Sequence, residues 1–430
     1  MSKLLQTLSG HRRATAFALV VFAAAVVAGG LLYLESRQSE LTVGPGADGG
    51  PEPPEAESRP SSFVWPTFGY DRARTSHLPS DLKPPFKRVW RMKPTGQLLE
   101  FPPSLAKGRL FVVENDARVF AISARSGRKV WKRDLGALAA STPTYSKGRL
   151  YVTILCQRPC TPSIGSTKSD GRGRVVALSA RTGKTIWKRD LPSRAESTPV
   201  VVGDELYFGT ESGTVYGLKT ANGRTDWTHS AGDAVKGSLA YKDGRLYFGD
   251  YAGAVTALRA RDGKLVWSRS NVSPENFYAA PAVGFGRIFL STTDGKVHAL
   301  RMNGNVDWTF SAGPAGYIYA APAIAAPRGL GPTVFIGAHD ERFYALDARS
   351  GRVRWSKRAG GRISGTAAVI GENVYFSAYY GDRMTYGLRT RDGKEVFRRP
   401  QRAFDPAIAD ERRLYLIGYA SITALEPRRR

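Results

Sequence analysis

This chain of 430 residues encodes an all-β ring of eight four-stranded sheets, an eight-bladed β-propeller, and three observations carry that expectation. The phrase A-L-S-A-R-T-G-K-T-I-W at 177–187 recurs at 121–131, 217–227, 257–267, 299–308, 345–355 and 387–397. Each copy passes from an apolar alternation through a Gly-centred turn, such as Thr182-Gly183 or Asp262-Gly263, into a second apolar run ending on an aromatic. Glycine supplies the positive φ that a tight reversal between twisted strands needs, so each copy reads as a β-hairpin. The copies also repeat at about 40 residues, the length of one propeller blade. Finally, the strands balance only if the chain closes on itself. Inner-strand patterns such as Pro103–Gly108–Leu110 and Pro281–Gly286–Ile288 occur eight times, the last ending at Leu425 without an aromatic strand of its own. The aromatic outer strands sit at Trp90, Trp131, Trp187, Trp227, Trp267, Trp308, Trp355 and Phe397, and the first precedes any inner set. One strand lent from the front of the chain to the last sheet leaves no open edge.

Residues 1–13 carry Lys3, His11, Arg12 and Arg13, and 14–34 contain no charge. That run is long enough to cross a hydrocarbon core as a helix. The positive flank places the N-terminus in the cytoplasm and the remainder outside, as a single-pass anchor in the cell membrane. A cleaved signal peptide is the competing reading, but the apolar run continues past Val26-Val27-Ala28 with no polar region before it. Residues 35–62, rich in Pro, Gly, Glu and Ser, read as a flexible linker, and 63–427 as the propeller. Residues 65–91 are aromatic and ordered-looking without being a full repeat, and Trp65 is expected to seat them on the side of the ring. The tryptophan at a fixed place in each repeat reads as a dock between neighbouring blades.

The net charge is +26. It serves solubility, or it attracts an anionic wall polymer or membrane surface; no basic run exceeds Arg428-Arg429-Arg430, and no nucleic-acid partner is expected. Cys156 and Cys160 are the only cysteines. They read as a loop-stapling disulfide, or as half a metal site for which no second Cys/His pair offers the other half.

The A-L-x-A-x-T-G-K-x-x-W phrase resembles the tryptophan-docking repeat of the pyrroloquinoline-quinone (PQQ)-type propellers, and W-P-T-F-G-Y-D-R-A-R-T at 65–75 is similar to a segment that precedes their first blade. That group contains both quinoprotein alcohol dehydrogenases and non-enzymatic propeller lipoproteins of outer-membrane assembly. The resemblance therefore implies either PQQ with calcium or no cofactor at all. The dehydrogenases carry two adjacent cysteines over the cofactor, a catalytic Asp, and calcium held by Glu and Asn. Here the cysteines are separated, no acidic signature maps onto that set, and no haem C-x-x-C-H occurs.

Aligned by their inner strands, the repeats place one residue per blade at the channel mouth: Glu100, Ala140, Glu196, Lys236, Tyr278, Tyr319, Ser364 and Ala403. Inter-strand loops add Asn115, Asp116, Glu211, Asp250, Tyr251, His339, Asp340, Tyr379, Tyr380 and Asp382. Glu100, Glu196, Lys236, Tyr278 and Tyr319 form the candidate ligand or partner site, against the plainer reading of a solvated rim. No catalytic triad, phosphate loop or metal-ligand spacing appears. The expected function is a membrane-anchored extracytoplasmic binding scaffold, holding an envelope protein or an anionic wall polymer. A PQQ-dependent dehydrogenase with a diverged site is the alternative.

Overall fold

The computed structural model describes residues 63–157, 172–401, 403–404 and 407–428. The expected tail, membrane helix and linker (1–62) and Cys160 lie outside them. The described residues contain strands and turns but no helix, arranged as eight sheets. Blade 1 shows the pattern: β4 (Ser104–Ala106) innermost, then β5 (Arg109–Val113), β6 (Arg118–Ser123) and outermost β7 (Lys129–Asp134). Two short strands precede it, β1 (Val64–Trp65) and β2 (His77–Leu78), followed by β3 (Phe86–Met92).

The burial of each strand follows from its place. The second and third strands of a blade are covered on both faces by neighbouring blades, so β5 and β6 are nearly all apolar and nearly all buried. The outermost strand is covered on one face only, and K-V-W-K-R-D in β7 alternates accordingly. The ring closes as the strand count requires. β3 pairs antiparallel with Ile422–Pro427, with Trp90 opposite Ala424 and Arg88 opposite Leu425.

The repeated phrase encodes two contacts. Its first residue lies opposite the tryptophan of its own blade, as in Ala177↔Trp187 and Gly217↔Trp227. The ladder shifts register there in every blade. A side chain larger than alanine would strike the indole: even a Cβ on Gly217 would lie 2.4 Å from Trp227. The turn glycine lies under the tryptophan of the preceding blade. A Cβ on Gly127, Gly183, Gly223, Gly263, Gly304, Gly351 or Gly393 would come within 2.4–2.8 Å of that ring. Each indole N–H also donates to a carbonyl of the same turn, at 2.8–3.2 Å, from Trp90 to Ala124 round to Trp355 to Thr390. Phe397 stands where the next blade offers no such turn, because that blade's outer strand is β3 from the front of the chain and no hairpin joins it to Ile422–Pro427. Its ring meets Phe86 edge-on at 5.8 Å instead.

The segment before β3 does not lie on the ring's side. β1 pairs with the innermost strand of blade 1, and Trp65, 2% exposed, packs into the core there with Leu105 and Leu110. From there the chain crosses the channel. The amides of Tyr145, Tyr241, Val283, Ile324 and Val369, on the innermost strands of blades 2, 4, 5, 6 and 7, donate in turn to the carbonyls of Pro66, Arg72, Ala73, Thr75 and Ser76. β2 then runs parallel to Ala368–Ile370 of blade 7. Arg74 holds the crossing. It is 1% exposed, and its guanidinium donates to Leu239, Phe68, Thr198 and Pro199 carbonyls and to the Thr67 hydroxyl. Burial lowers its pKa to about 9, with Asp71 opposing. The channel is therefore stoppered by the chain's own residues. A fragment from Ser62 onward contains every strand, the stopper and the closing seam.

Candidate functional site

The loops that lead from each outer strand into the next inner strand open above this stopper. The structure brings Glu196, Lys236, Tyr278 and Tyr319 into one continuous set of contacts there. The Lys236 ammonium lies 3.0 Å from Glu211 and 3.5 Å from Glu196, and 5.3 Å over the Tyr251 ring. Tyr278 donates to the second Glu196 oxygen at 3.3 Å and meets Tyr319 edge-on at 6.1 Å. Tyr319 packs at 5.1 Å against His339, whose Nε2 is 2.8 Å from the Ser364 hydroxyl. Glu100 is half-buried, and its charge reaches Tyr278.

Two carboxylates share one ammonium. Burial opposes the charge on Lys236, but Glu196, Tyr251 and Glu211 outweigh it and hold its pKa above the usual lysine range. Burial pushes Glu196 above the carboxylate range; Lys236 opposes this and the like charge of Glu211 adds to it. The Glu196 charge and burial drive the Tyr278 phenol well up, and burial does the same for Tyr251. Burial, with Arg362 adding, pushes His339 down to about 4, so its imidazole is neutral at neutral pH. The mouth is thus lined by a lysine kept charged, phenols kept protonated and a neutral histidine. Such a surface can donate and accept hydrogen bonds and stack on flat groups.

Several expected rim residues instead brace their own loops. Asp250 accepts from the Ala252 and Ala254 amides at 3.0 Å, Asp340 from the Arg342 amide at 3.0 Å, and Asp382 from Tyr386. Asp116 pairs with Arg118. Ala140 and Ala403 are buried. The sequence reading missed Phe404, stacked on Tyr379 at 4.1 Å, and Tyr317, half exposed beside His339. Cys156 is disulfide-bonded and bridges Leu138 near the entry to blade 2. Among the described residues no group of three His, Cys, Asp or Glu side chains is placed to hold a metal ion.

The family described as "Outer membrane protein assembly factor BamB" matches residues 86–155, 165–271 and 227–429. The solved BamB of Moraxella catarrhalis superposes with a TM-score of 0.61 at 16% identity, covering 80% of this chain and 100% of that one. The quinohemoprotein alcohol dehydrogenase of Comamonas testosteroni gives 0.68 at 13% identity, over 85% of this chain and 81% of that one. A 1-butanol dehydrogenase (cytochrome c) of Thauera butanivorans is 27% identical over 158 residues, which is 34% of this chain and 22% of that relative. At these identities the two solved structures show a shared fold, and the chain spans about a fifth of the dehydrogenase it matches.

Proposed function

The chain belongs to the family described as outer membrane protein assembly factor BamB, and on that premise we propose that it is a membrane-anchored, extracytoplasmic binding scaffold of the cell envelope without catalytic activity. The observation that carries this reading is the position of Lys236. Its ammonium sits between Glu196 and Glu211, the carboxylate pair at the mouth that could otherwise face a divalent cation. A calcium ion there would meet a fixed positive charge. The cysteines also differ from the adjacent pair over a quinone. The residues present do not fit PQQ with calcium. With the axis stoppered, the mouth presents tyrosines and one fixed ion cluster. That suits the capture of a partner segment.

The test is a titration of the fragment from Ser62 onward with PQQ and calcium. Cofactor absorbance is followed, and so is dye reduction with alcohols and sugars. Neither saturable binding nor turnover is expected; both together would overturn the scaffold in favour of a dehydrogenase. Anchoring is tested by a reporter fused after Arg430, which is active only outside the cytoplasm if the positive flank at Lys3, Arg12 and Arg13 stays inside.

A further inference from the structure

One face of this ring concentrates exposed cations at its hairpin turns. On the face opposite the mouth, each hairpin turn beneath a docking tryptophan carries exposed cations beside its glycine. Arg181 and Lys184 flank Gly183, Arg349 and Arg352 flank Gly351, and Arg224 follows Gly223. The Asn303-Gly304 turn of blade 5 is the exception. Where the turns also hold Asp262 or Asp392, those carboxylates pair closely with Arg259 or Arg389, and Arg261 and Arg391, 3.9 and 3.8 Å from the same carboxylates, are 77% and 59% exposed. The inner turns of the same face mix Lys107, Lys147 and Arg328 with Asp204, Asp243 and Glu372. The mouth face is mixed: Asp116, Glu211, Asp294 and Glu341 in its inter-strand loops pair with Arg118, Lys236, Lys296 and Arg358.

Because the turns recur at one place in every blade, their cations form a ring on one flat face rather than a groove. Exposed aliphatics stand beside them at the start of the outer strands: Leu265 at 55%, Val306 and Val353 at 48%, Val130 at 45% and Ile186 at 43%. Single exposed aliphatics are ordinary, but a ring of them alternating with cations is what an anionic lipid surface accepts. The chain also enters through this face. Val64 lies opposite Ala106, next to the Lys107-Gly108 turn, and Trp65 lies one step deeper. We propose that the turn face rests on an anionic membrane surface and presents the mouth away from it. A planar ring of point charges favours a lipid surface over a linear polymer, which would need a track to follow.

The fragment from Ser62 onward, which lacks the apolar run at 14–34, isolates this face from any anchor. It should sediment with phosphatidylcholine vesicles containing phosphatidylglycerol, bind pure phosphatidylcholine at least about tenfold more weakly, and be released by roughly 0.5 M salt. Replacing Arg181, Lys184, Arg349 and Arg352 with Gln should weaken binding by about tenfold or more. The same change at Lys132, Lys188, Lys357 and Arg399, on the outer strands away from the turns, removes equal charge and should have the smaller effect. Equal losses in the two variants would show net charge acting without a face, and would overturn the proposal. So would absence of binding to anionic vesicles at low salt, or saturable binding to soluble polyphosphate in its place. None of these outcomes bears on PQQ binding at the mouth, so failure here and failure of the scaffold reading are separable.

Discussion

Gly223 shows how much one residue of the repeat carries. Its φ of +72° requires glycine for the turn, and its missing Cβ makes room for Trp187 at 2.8 Å. Gly244, at φ +76°, has the first requirement without the second, because an added Cβ there meets nothing within 4 Å. Gly244→Ala should therefore cost only the backbone strain, about 1 kcal/mol. Gly223→Ala should add the displacement of a packed indole, for roughly 2–4 kcal/mol in all. Denaturant midpoints of the two variants decide it, and equal losses would mean the tryptophan does not depend on that gap. The spacing from small residue to glycine to tryptophan was legible in the sequence. That the glycine serves the tryptophan of the preceding blade was not, since both partners recur with the same period. At the mouth, His339 gives a second prediction. Burial holds it, like His298, to about 4. In the unfolded chain each takes a proton near pH 6.5, which the fold refuses. The stability they contribute is complete above that pH and is lost as pH falls toward 4. The His339 ring resonances should show no titration between pH 7 and about 5, and His339→Gln should make the loss of stability on acidification shallower. A midpoint near 6.5 would place the ring in water.

At the scale of the element, the segment from Trp65 to Leu78 converts an open toroid into a stoppered one. Between β1 and β2 it bonds singly to successive blades, so it carries neither a period of two nor a helical period. The sequence could mark it only as aromatic and ordered. Its neighbours gave no better signal, because the inner strands are three residues long and their unpaired edges look like any solvent-facing edge. Arg74 is the clearest sign in retrospect: an arginine amid T-F-G-Y-D-R-A-R-T whose donors are all taken by carbonyls and one hydroxyl. Leaving those carbonyls buried and unpaired costs about 1–3 kcal/mol each. A chain beginning at Pro79 keeps β3 and every blade but loses the stopper. Its amides at Tyr145, Tyr241, Val283, Ile324 and Val369 should exchange at least about tenfold faster than in the chain from Ser62, given net hydrogen-bond worths near 1 kcal/mol and the loss of cover. Unchanged protection at all five would mean the inner edges are shielded by something other than this segment.

At the scale of the whole molecule, ring closure was readable because it is arithmetic: eight inner sets, eight aromatic strands, one of them out of place. The gathering of cations on one face was not, because only the order and direction of the strands assign each turn to one end of the ring or the other. Closure also makes β3 the point where the ring is most easily opened. Every other outer strand is tied to its blade by a turn of a few residues, whereas β3 meets Ile422–Pro427 through a ladder alone, with more than three hundred residues of chain between the partners. A covalent bond across that ladder removes far more freedom from the unfolded chain than one across a hairpin, because closure entropy grows with the enclosed loop. Lys87 and Glu426 are directly opposed and lie toward solvent. Lys87→Cys with Glu426→Cys sacrifices the Arg413–Glu426 ion pair, worth at most about 1 kcal/mol at that exposure. Oxidised, the variant should gain about 2–4 kcal/mol over the parent under the same redox conditions, and the gain should vanish on reduction. Thr214→Cys with Ser230→Cys, opposed within blade 3, closes a short loop and should gain less. A seam bond that stabilises no more than the hairpin bond would show that the ring comes apart at another blade junction first.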